Sequence, residues 1–349
     1  MENQIQELTK SITVPTGPIA QVQGNLDQLT KPPGSLGELE NLVLWLGKCQ
    51  NTETPKADKK QIYVFAGDHG VTAEGVSPYP SEVTAQMVGN MLSGGAAISV
   101  LAKSVGADLT LVDLGVLSDL EPHEQLLMEK VKKGTANFSK EPAMTDRETL
   151  QAIQVGFKVA KKAKSEGADL LGIGEMGIGN TTAATAIYAN LLGLNPVDIA
   201  GAGTGLDAKG ITHKAEIVIS ALELHRPTTA FDCLAKVGGL EIAGLTGLCL
   251  GAAKEQIPLL VDGFIATAAA LVAIKICPAA EGWLLFSHSS NEQGHKKVLA
   301  KMGVTTLLDL QLRLGEGTGA ALAMGLTTQA LELYYGMASF ANAGVSDRE

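Results

Sequence analysis

The chain of 349 residues is long enough for one large domain or two ordinary ones, and 45% of its residues are hydrophobic but only 4% aromatic, so Ala, Val, Ile and Leu must fill the core. The formal net charge is −10, and Lys and Arg form no long run, which argues against nucleic acid or membrane insertion and favours a small-molecule substrate. The four cysteines, Cys49, Cys233, Cys249 and Cys277, lie far apart with no CxxC pair, so we expect reduced, mostly buried thiols.

The first segment, residues 1–55, is predicted to be helical. Its start is polar and lacks the apolar stretch of a signal peptide, so we expect a cytoplasmic protein. Ser35 and Glu38 have the spacing of a capping box, and apolar residues follow them at helical intervals. A polar linker at 51–60 then separates this segment from the rest.

From residue 61, short apolar runs alternate with longer helical patterns. Six runs are predicted to be strands: 61–66, 109–114, 169–174, 198–201, 257–262 and 283–287. This alternation predicts the α/β class, with a Rossmann-like parallel sheet and helices on both of its faces. The most apolar stretch, Phe264–Cys277, is too short to span a bilayer and is predicted to be a core helix.

After residue 304 the pattern becomes helical again. We therefore predict two domains. Residues 1–55 and 305–349 would form a small helical domain from both ends of the chain, and residues 56–304 a Rossmann-like α/β catalytic domain.

The loops after the predicted strands are rich in glycine and poor in large side chains. They span residues 67–70, 174–182, 201–207, 262–264 and 287–295. Ligands of parallel sheets bind beyond the carboxyl ends of the strands. The chemistry is therefore expected in these loops.

One of these loops matches the dinucleotide-binding pattern GxGxxG at Gly172, Gly174 and Gly177, with Asp198 downstream for a ribose contact. Glu175 would place a negative charge inside the pyrophosphate cradle and repel it. An NAD-dependent dehydrogenase therefore remains only an alternative interpretation.

A single phosphate carried by a sugar suits the loops better. The candidate binding residues precede two predicted helices, where free N–H groups and the helix dipole attract anions: Gly177, Gly179, Asn180, Thr181, Gly203, Thr204 and Gly205. Lys214 would supply local positive charge in an acidic protein. Glycines that only permit tight turns and a lysine that is merely solvated are the alternatives.

Glu316 stands between Gly315 and Gly317, just before a helical run of small residues. Because neither neighbour has a side chain to pack against it, this carboxylate is expected to serve something other than the core. The histidines, including His69, His288 and His295, show no metal-binding spacing, and we expect no metal. Ser287, Ser289 and Ser290 suit phosphate binding or helix capping.

Several stretches together resemble one family, the nicotinate-nucleotide:dimethylbenzimidazole phosphoribosyltransferases of cobalamin biosynthesis. They run in order over nearly the whole chain: LTKPPGSLGELE (29–40), GDHGVTAEGVSPYPSEVTAQMV (67–88), SGGAAI (93–98), GIGEMGIGNTTAATAI (172–187), GTGLD (203–207), VGGLEIAGLTG (237–247), PLLVDGFIATAAAL (258–271), SHSSNEQGH (287–295) and RLGEGTGAALAM (313–324). Such an ordered set is far more specific than any single glycine loop.

The resemblance implies transfer of phosphoribose from nicotinate mononucleotide to 5,6-dimethylbenzimidazole or a related base, with inversion at C1′. It also implies a Rossmann-like fold with a small helical domain, a homodimer, and no metal or redox cofactor. The family's catalytic glutamate falls on Glu316 and its second active-site glutamate on Glu175. Contacts to the base fall around Tyr79 and Gln86, and contacts to the phosphate on the glycine loops, Lys214 and Ser290. A non-catalytic nucleotide-binding sensor is a further alternative, although it has no use for Glu316.

Overall fold

The structure of the protein is a computed structural model that describes residues 2–346. Its centre is a six-stranded, fully parallel sheet with the strand order β3-β2-β1-β4-β5-β6. The strands are β1 (Lys60–Gly67), β2 (Ala107–Gly115), β3 (Leu126–Met128), β4 (Leu170–Met176), β5 (Leu259–Val261) and β6 (Leu284–Phe286). The predicted α/β class with a Rossmann-like parallel sheet is confirmed.

Fifteen α-helices and two 3-10 helices are found within residues 2–346. The α-helices are α1 (Glu2–Thr9), α2 (Ile19–Asp27), α3 (Glu38–Gln50), α4 (Glu82–Leu92), α5 (Ala97–Ser104), α6 (Asp146–Ser165), α7 (Asn180–Leu192), α8 (Pro196–Ile199), α9 (Ala208–His225), α10 (Ala230–Val237), α11 (Leu240–Glu255), α12 (Phe264–Ile276), α13 (His295–Met302), α14 (Thr318–Gly336) and α15 (Phe340–Ala343). The 3-10 helices are Gly70–Glu74 and Pro278–Trp283.

Helices cover both faces of the sheet, and β1 shows how the sequence specifies this. Tyr63 and Phe65 point into the core formed with α6, α7, α10, α11 and α12. Ile62, Val64 and Ala66 point into the core formed with α2, α3, α4, α5 and α14. Alternate residues of a strand face opposite sides. Burial on both sides therefore explains the continuous apolar runs in the sequence.

Five of the six predicted strands are confirmed, but the run at 198–201 is wrong. Residues Pro196–Ile199 form the short helix α8, because the Asn195 side chain accepts a hydrogen bond from the Val197 N–H and Pro196 occupies the first helical turn. Asn before Pro is a helix-start signal. The sixth strand is instead β3, whose apolar run is only three residues long and lies between Gln125 and Glu129, whereas β5 and β6 lie within longer apolar runs.

The predicted capping box at Ser35 and Glu38 is also wrong. Helix α3 begins at Glu38, its N-cap is Gly37 with φ of 55°, and no side chain caps it. The Glu40 carboxylate accepts a hydrogen bond from the Leu36 N–H at 3.0 Å and pairs with the buried Lys31 at 2.9 Å. A buried ion pair therefore orders the turn before α3.

Two predictions about the core are confirmed. Residues Phe264–Ile276 form the buried helix α12. All four cysteines are free, three of them buried and Cys277 partly exposed.

The terminal segments pack on both faces of the sheet. Ile5 of α1 belongs to the core of the first face, whereas α2, α3 and α14 share the core of the second. Of the predicted helical domain, Met1 and residues 347–349 lie outside the described residues. The division into two domains stays a prediction.

One segment, Glu82–Ser104, is long and apolar enough by composition to cross a membrane, and 28% of its apolar window is buried. In the structure it consists of two helices, α4 and α5, separated by residues 93–96. Each is shorter than the roughly 20 residues that a helical span needs.

Candidate functional site

A cavity of about 690 Å³ opens at the carboxyl ends of the strands. It lies beside the point where the strand order reverses between β1 and β4, which is where ligands of such sheets bind. Its walls come from the segments after β1, β4, β5 and β6, together with α4 and residues 311–316. It is large enough for a nucleotide-sized ligand.

Eleven of the fifteen predicted site residues line this cavity: Tyr79, Glu175, Gly177, Gly179, Asn180, Thr181, Gly203, Thr204, Ser290, Gly315 and Glu316. The other four, Gln86, Gly205, Lys214 and Gly317, are not in its wall. The structure thus brings both glutamates together with the glycine-rich loops after β4, around Gly203 and around Gly315. The role of each residue stays a prediction.

Glu316 sits on a left-handed turn of three residues. The φ angles of Gly315, Glu316 and Gly317 are 82°, 64° and 90°. Glycine adopts such angles without cost, whereas a glutamate there carries strain that the surroundings must offset. The Glu316 side chain is 5% exposed, and its Oε2 has no hydrogen-bond partner among the described residues. One oxygen of this buried carboxylate is therefore left without a partner among the described residues, and Glu316 belongs to the cavity wall.

Gly174 in β4 allows this turn to approach the sheet. A Cβ added at Gly174 would lie 2.3 Å from the Gly317 nitrogen and 2.4 Å from the Glu316 carbonyl carbon. Real side chains do not tolerate such contacts. The backbone of β4 and the backbone that carries Glu316 therefore touch directly, and glycine is needed where they meet.

Glu175, near the end of β4, is 6% exposed and accepts a hydrogen bond from the Asn180 side chain. Burial, with the negative charges of Asp262, Glu241 and Glu316, raises the pKa of Glu175 to about 8. Gly315 leaves room for its carboxylate, because a Cβ there would lie 2.4 Å from Glu175 Oε1. A pKa of about 8 favours the protonated form of Glu175 at neutral pH.

The pKa of Glu316 is raised as well. Burial is the main cause, the backbone of Ile98 acts in the opposite direction, and the negative charge of Asp262 adds to the rise. A carboxylate with a raised pKa binds protons more strongly than an ordinary one. This property suits a general base.

The first candidate phosphate loop leads into α7. Gly179 is the N-cap of this helix, with φ of 97°, and Asn180 is its first residue. The N-terminus of α7 therefore lies at the cavity, where the positive end of the helix dipole favours an anion. The N–H groups of Asn180 and Thr182 donate to the carbonyls of Gly177 and Gly179.

The second candidate loop already has an acidic partner. The Glu292 carboxylate, 7% exposed, accepts a hydrogen bond from the Gly203 N–H at 2.9 Å. Thr204 hydrogen-bonds to Ser77 at 3.0 Å across the cavity mouth. A phosphate cannot share the Gly203 N–H with a carboxylate, so Glu292 must move or the phosphate must bind on the α7 side.

Lys214 lies behind this loop. Its Nζ donates to Thr181 Oγ1 at 3.1 Å and to the Gly201 carbonyl at 3.0 Å. Burial lowers the pKa of Lys214 to about 8, and the charge of Glu292 opposes this change. Lys214 thus hydrogen-bonds to both candidate phosphate loops from inside the protein.

Three lining residues with charged or titratable side chains were missed in the sequence: Glu292, His288 and Arg313. His288 is 1% exposed, neither ring nitrogen has a hydrogen-bond partner among residues 2–346, and its Nε2 lies 3.5 Å from Asp262 Oδ1. Arg313 is the only lysine or arginine in the cavity wall within the described chain. His288 and Glu292 lie in the SHSSNEQGH segment, and Arg313 lies in the RLGEGTG segment; both segments carry the resemblance. The sequence therefore identified these segments, but it did not show which of their side chains face the cavity.

The outer wall of the cavity is largely apolar. Tyr79 is 51% exposed, Leu314 is 57% exposed, and Val83 and Met87 contribute from one side of α4. Gln86, on the same helix, is exposed and does not line the cavity. An open apolar wall suits a flat, hydrophobic ring.

The GxGxxG pattern does not form a dinucleotide cradle. Gly172 and Gly174 lie within β4, where a Cβ on Gly172 would lie 2.9 Å from the Met324 side chain of α14. Asp198 is exposed and pairs with Lys297 at 3.6 Å. These glycines serve the packing of α14 on the sheet, which argues against the dehydrogenase alternative. Among the described residues, no group of three or more His, Cys, Asp and Glu side chains has a metal-binding arrangement.

Comparison with known proteins gives consistent matches. A family model described as "Phosphoribosyltransferase" matches residues 15–345. A nicotinate-nucleotide–dimethylbenzimidazole phosphoribosyltransferase of Chlorobaculum tepidum is 50% identical over 100% of this chain and 99% of that protein. A protein of the same name from Chloroflexus aggregans is 49% identical over 93% of this chain and 92% of its own length. The crystal structure of CobT from Thermus thermophilus is similar with a TM-score of 0.90 and 45% identity, covering 95% of this chain and 99% of that one.

Proposed function

Because the chain belongs to the nicotinate-nucleotide–dimethylbenzimidazole phosphoribosyltransferase family, we propose that it transfers phosphoribose from nicotinate mononucleotide to 5,6-dimethylbenzimidazole or a related base. The products are α-ribazole 5′-phosphate and nicotinate. The observation that carries this assignment is the buried carboxylate of Glu316, which belongs to the cavity wall and has one oxygen without a hydrogen-bond partner among the described residues.

Bond formation and bond breaking can be assigned to defined atoms. The free ring nitrogen of the benzimidazole attacks C1′ of the ribose, and the bond from C1′ to the nicotinate nitrogen breaks with its electron pair leaving on nicotinate. That leaving group is already a pyridinium and needs no proton. Attack from the opposite face inverts C1′ from the β to the α configuration.

Glu316 acts as the general base. As the new bond forms, the benzimidazole becomes cationic and its remaining N–H becomes acidic. Glu316 accepts this proton, and a buried carboxylate with a raised pKa is suited to the task. Gly315, which lines the cavity next to Glu316, leaves room for the flat ring to approach the backbone.

Glu175 stabilises the positive charge that develops on the sugar, as carboxylates do in oxocarbenium-like transition states. It must be ionised to do so, whereas burial raises its pKa to about 8. A nearby cation favours the ionised form of a carboxyl group. The pyridinium of the bound nucleotide therefore promotes loss of the proton from Glu175.

The remaining contacts divide between phosphate and base. The phosphate binds at the N-terminus of α7, near Gly177, Gly179, Asn180 and Thr181, with Ser290 opposite and Lys214 supporting the loop. The base lies between Glu316 and the apolar wall that includes Tyr79, with Gln86 near its edge. The enzyme acts in the cytoplasm as a homodimer, in the synthesis of the cobalamin nucleotide loop.

The test is a direct assay of the purified protein with nicotinate mononucleotide and 5,6-dimethylbenzimidazole, with released nicotinate measured by chromatography. Wild type should release nicotinate only when a base is present. Glu316→Gln should lower kcat by about 10²- to 10⁴-fold, the usual contribution of a general base. Its affinity for the nucleotide, measured by calorimetry, should stay close to that of wild type.

Glu216→Gln, which changes an exposed glutamate on α9, is the matched control and should keep wild-type kcat. Absence of nicotinate release by wild type with every benzimidazole tried would refute the assignment. An unchanged kcat in Glu316→Gln would remove Glu316 from the role of base.

A further inference from the structure

Asp262 follows β5 at the carboxyl edge of the sheet and does not line the cavity. It is 1% exposed and binds the start of α14. Its Oδ2 accepts from the Gly317 N–H at 3.0 Å, and its Oδ1 accepts from the N–H groups of Gly319 at 2.7 Å and Ala320 at 3.2 Å. One buried carboxylate therefore joins the sheet to the N-terminus of this helix.

These bonds act on the residue next to Glu316. The Gly317 N–H belongs to the peptide that links Gly317 to Glu316, so Asp262 holds the left-handed turn from one side. Gly174 contacts the same turn from β4. A glutamate with φ of 64° needs such support, because its backbone conformation is strained.

Asp262 also acts on both glutamates through its charge. After burial, which is the larger cause, the negative charge of Asp262 contributes to the raised pKa of Glu316 and of Glu175. The charge of Glu241 raises the pKa of Glu175 too, but Glu241 is paired with His69 at 2.7 Å. The Nε2 atom of His288 lies 3.5 Å from Asp262 Oδ1. The other charged or titratable groups facing the site are Tyr79, Glu292 and Arg313.

We propose that Asp262 is a positioning residue for the transfer reaction, which fixes the turn carrying Glu316 and, by its negative charge, strengthens the hold of Glu316 on the proton lost by the acceptor base. This inference rests on the proposed function. Asp262 touches neither the substrate nor the reacting atoms, and it acts only through Glu316 and Glu175.

If Asp262 served only as a structural cap of α14, its loss would have different effects. Losing a cap lowers stability, and a misplaced turn lowers kcat, but neither changes the proton affinity of the glutamates as long as both carboxyl groups stay buried. Losing the negative charge lowers the pKa of both. Activity that requires an ionised base then persists to lower pH, so the acidic limb of the kcat profile moves downward in pH. Because the two carboxyl groups interact, this limb reports the pair.

The experiment measures kcat for nicotinate release as a function of pH in wild type, Asp262→Asn and Asp262→Ser. Asn keeps the shape of the side chain without its charge. Ser keeps one acceptor for the helix N-terminus and presents no amide hydrogens to the backbone N–H groups. In both variants we expect kcat at its plateau to fall about 10- to 100-fold, as for a slightly misplaced catalytic group. We also expect the acidic limb to move to lower pH.

Asp113→Asn provides a matched control. Asp113 is a fully buried carboxylate at the end of β2 that accepts a hydrogen bond from the Val116 N–H at 2.9 Å. This variant should lose thermal stability, but its acidic limb should coincide with that of wild type. Thermal unfolding of every variant separates loss of fold from loss of chemistry.

An acidic limb that stays at its wild-type pH in Asp262→Asn and Asp262→Ser would overturn the inference, even if kcat and stability fell. If neither variant folds, the pH profile of kcat in wild type tests the inference. An acidic limb at or below the pKa of an ordinary glutamate, about 4.3, would contradict the raised proton affinity of the glutamates. Lack of transfer by wild type would instead refute the proposed function itself. The two failures are therefore distinguishable.

Discussion

Glu175 has its carboxyl group enclosed by protein and faces the negative charges of Asp262, Glu241 and Glu316. An ordinary glutamate in the unfolded chain loses its proton near pH 4.3, whereas burial and these charges raise the pKa of the folded group to about 8. Between these two values the folded protein holds a proton that the unfolded chain has released. The free energy of unfolding therefore decreases as the pH rises through this window.

Glu175→Gln removes this decrease in the free energy of unfolding, because a neutral amide has no proton to release. Its Oε1 can still accept the hydrogen bond from Asn180. We expect the variant to melt above wild type at pH 8, at roughly 1–2 °C per kcal/mol regained for a chain of this length, with a smaller difference at pH 5. Differential scanning calorimetry at both pH values measures the effect.

Nicotinate release by Glu175→Gln should be slower than in wild type. The wild-type glutamate would therefore lower stability at pH 8 but raise activity. Glu216→Gln, on the exposed side of α9, should show no pH-dependent difference. A stability change in Glu175→Gln that is equal at pH 5 and pH 8 would contradict the raised pKa.

Among single residues, the sequence identified the loops at the strand ends that line the cavity. It did not show where each side chain points. Glu316 was recognisable because it stands between two glycines. Lys214 was expected to face the ligand, yet it lies behind the Gly203 loop, since helical spacing alone does not tell which side of α9 is covered. Glu292 was missed because its contact with the Gly203 N–H joins residues 89 positions apart.

At the scale of elements, the contact between β4 and the start of α14 decides where Glu316 lies. Gly174 is the residue that permits this contact, and its own φ is not in the left-handed region. An alanine there would therefore be acceptable to the backbone of β4. Its methyl group would collide with the Gly317 nitrogen.

Gly174→Ala should push the turn away from the sheet. We expect a loss of about 1–3 kcal/mol in the free energy of unfolding, which is typical of overpacking. We also expect a decrease in kcat of at least about tenfold, because the base moves relative to its substrate. Urea unfolding and the nicotinate assay measure the two effects.

Gly89→Ala is the control at this scale. Gly89 lies inside α4, and a Cβ there would meet nothing within 4 Å. Alanine should stabilise this helix by about 0.5–1 kcal/mol and leave kcat unchanged. Equal activity in Gly174→Ala and wild type would show that the close approach is not needed for catalysis.

The elements themselves were mostly readable from the sequence. The strands buried on both faces gave apolar runs, and five of these runs were identified. The run at 198–201 was misread because its apolar residues satisfy a strand pattern, whereas Asn195 and Pro196 start a helix there. The apolar run of β3 is only three residues long and has polar residues on both sides, so it shows no strand pattern. Only its pairing with β2 defines it as a strand.

At the scale of the whole molecule, the mouth of the cavity carries exposed apolar side chains. Leu314 and Tyr79 line it, and Leu310 nearby is 53% exposed. Exposed apolar groups that cluster beside a site are typical of interaction surfaces. They support the expected homodimer, which the resemblance implied.

Light scattering coupled to size-exclusion chromatography should give a mass twice that of one chain at micromolar concentration. The apparent mass should not fall on moderate dilution, because a buried apolar interface dissociates slowly. A single-chain mass across the whole concentration range would contradict the homodimer.

The backbone contact between Gly174 and the Glu316 turn also limits how the choice of acceptor can change. On that side there is no side chain to shorten or enlarge, so substitutions there would damage the enzyme before they altered its selectivity. The opposite side, formed by Tyr79, Val83, Met87 and Leu314, consists of replaceable side chains. Variants that accept bulkier or more polar heterocycles should therefore be sought there, with the proton-accepting half of the pocket left intact.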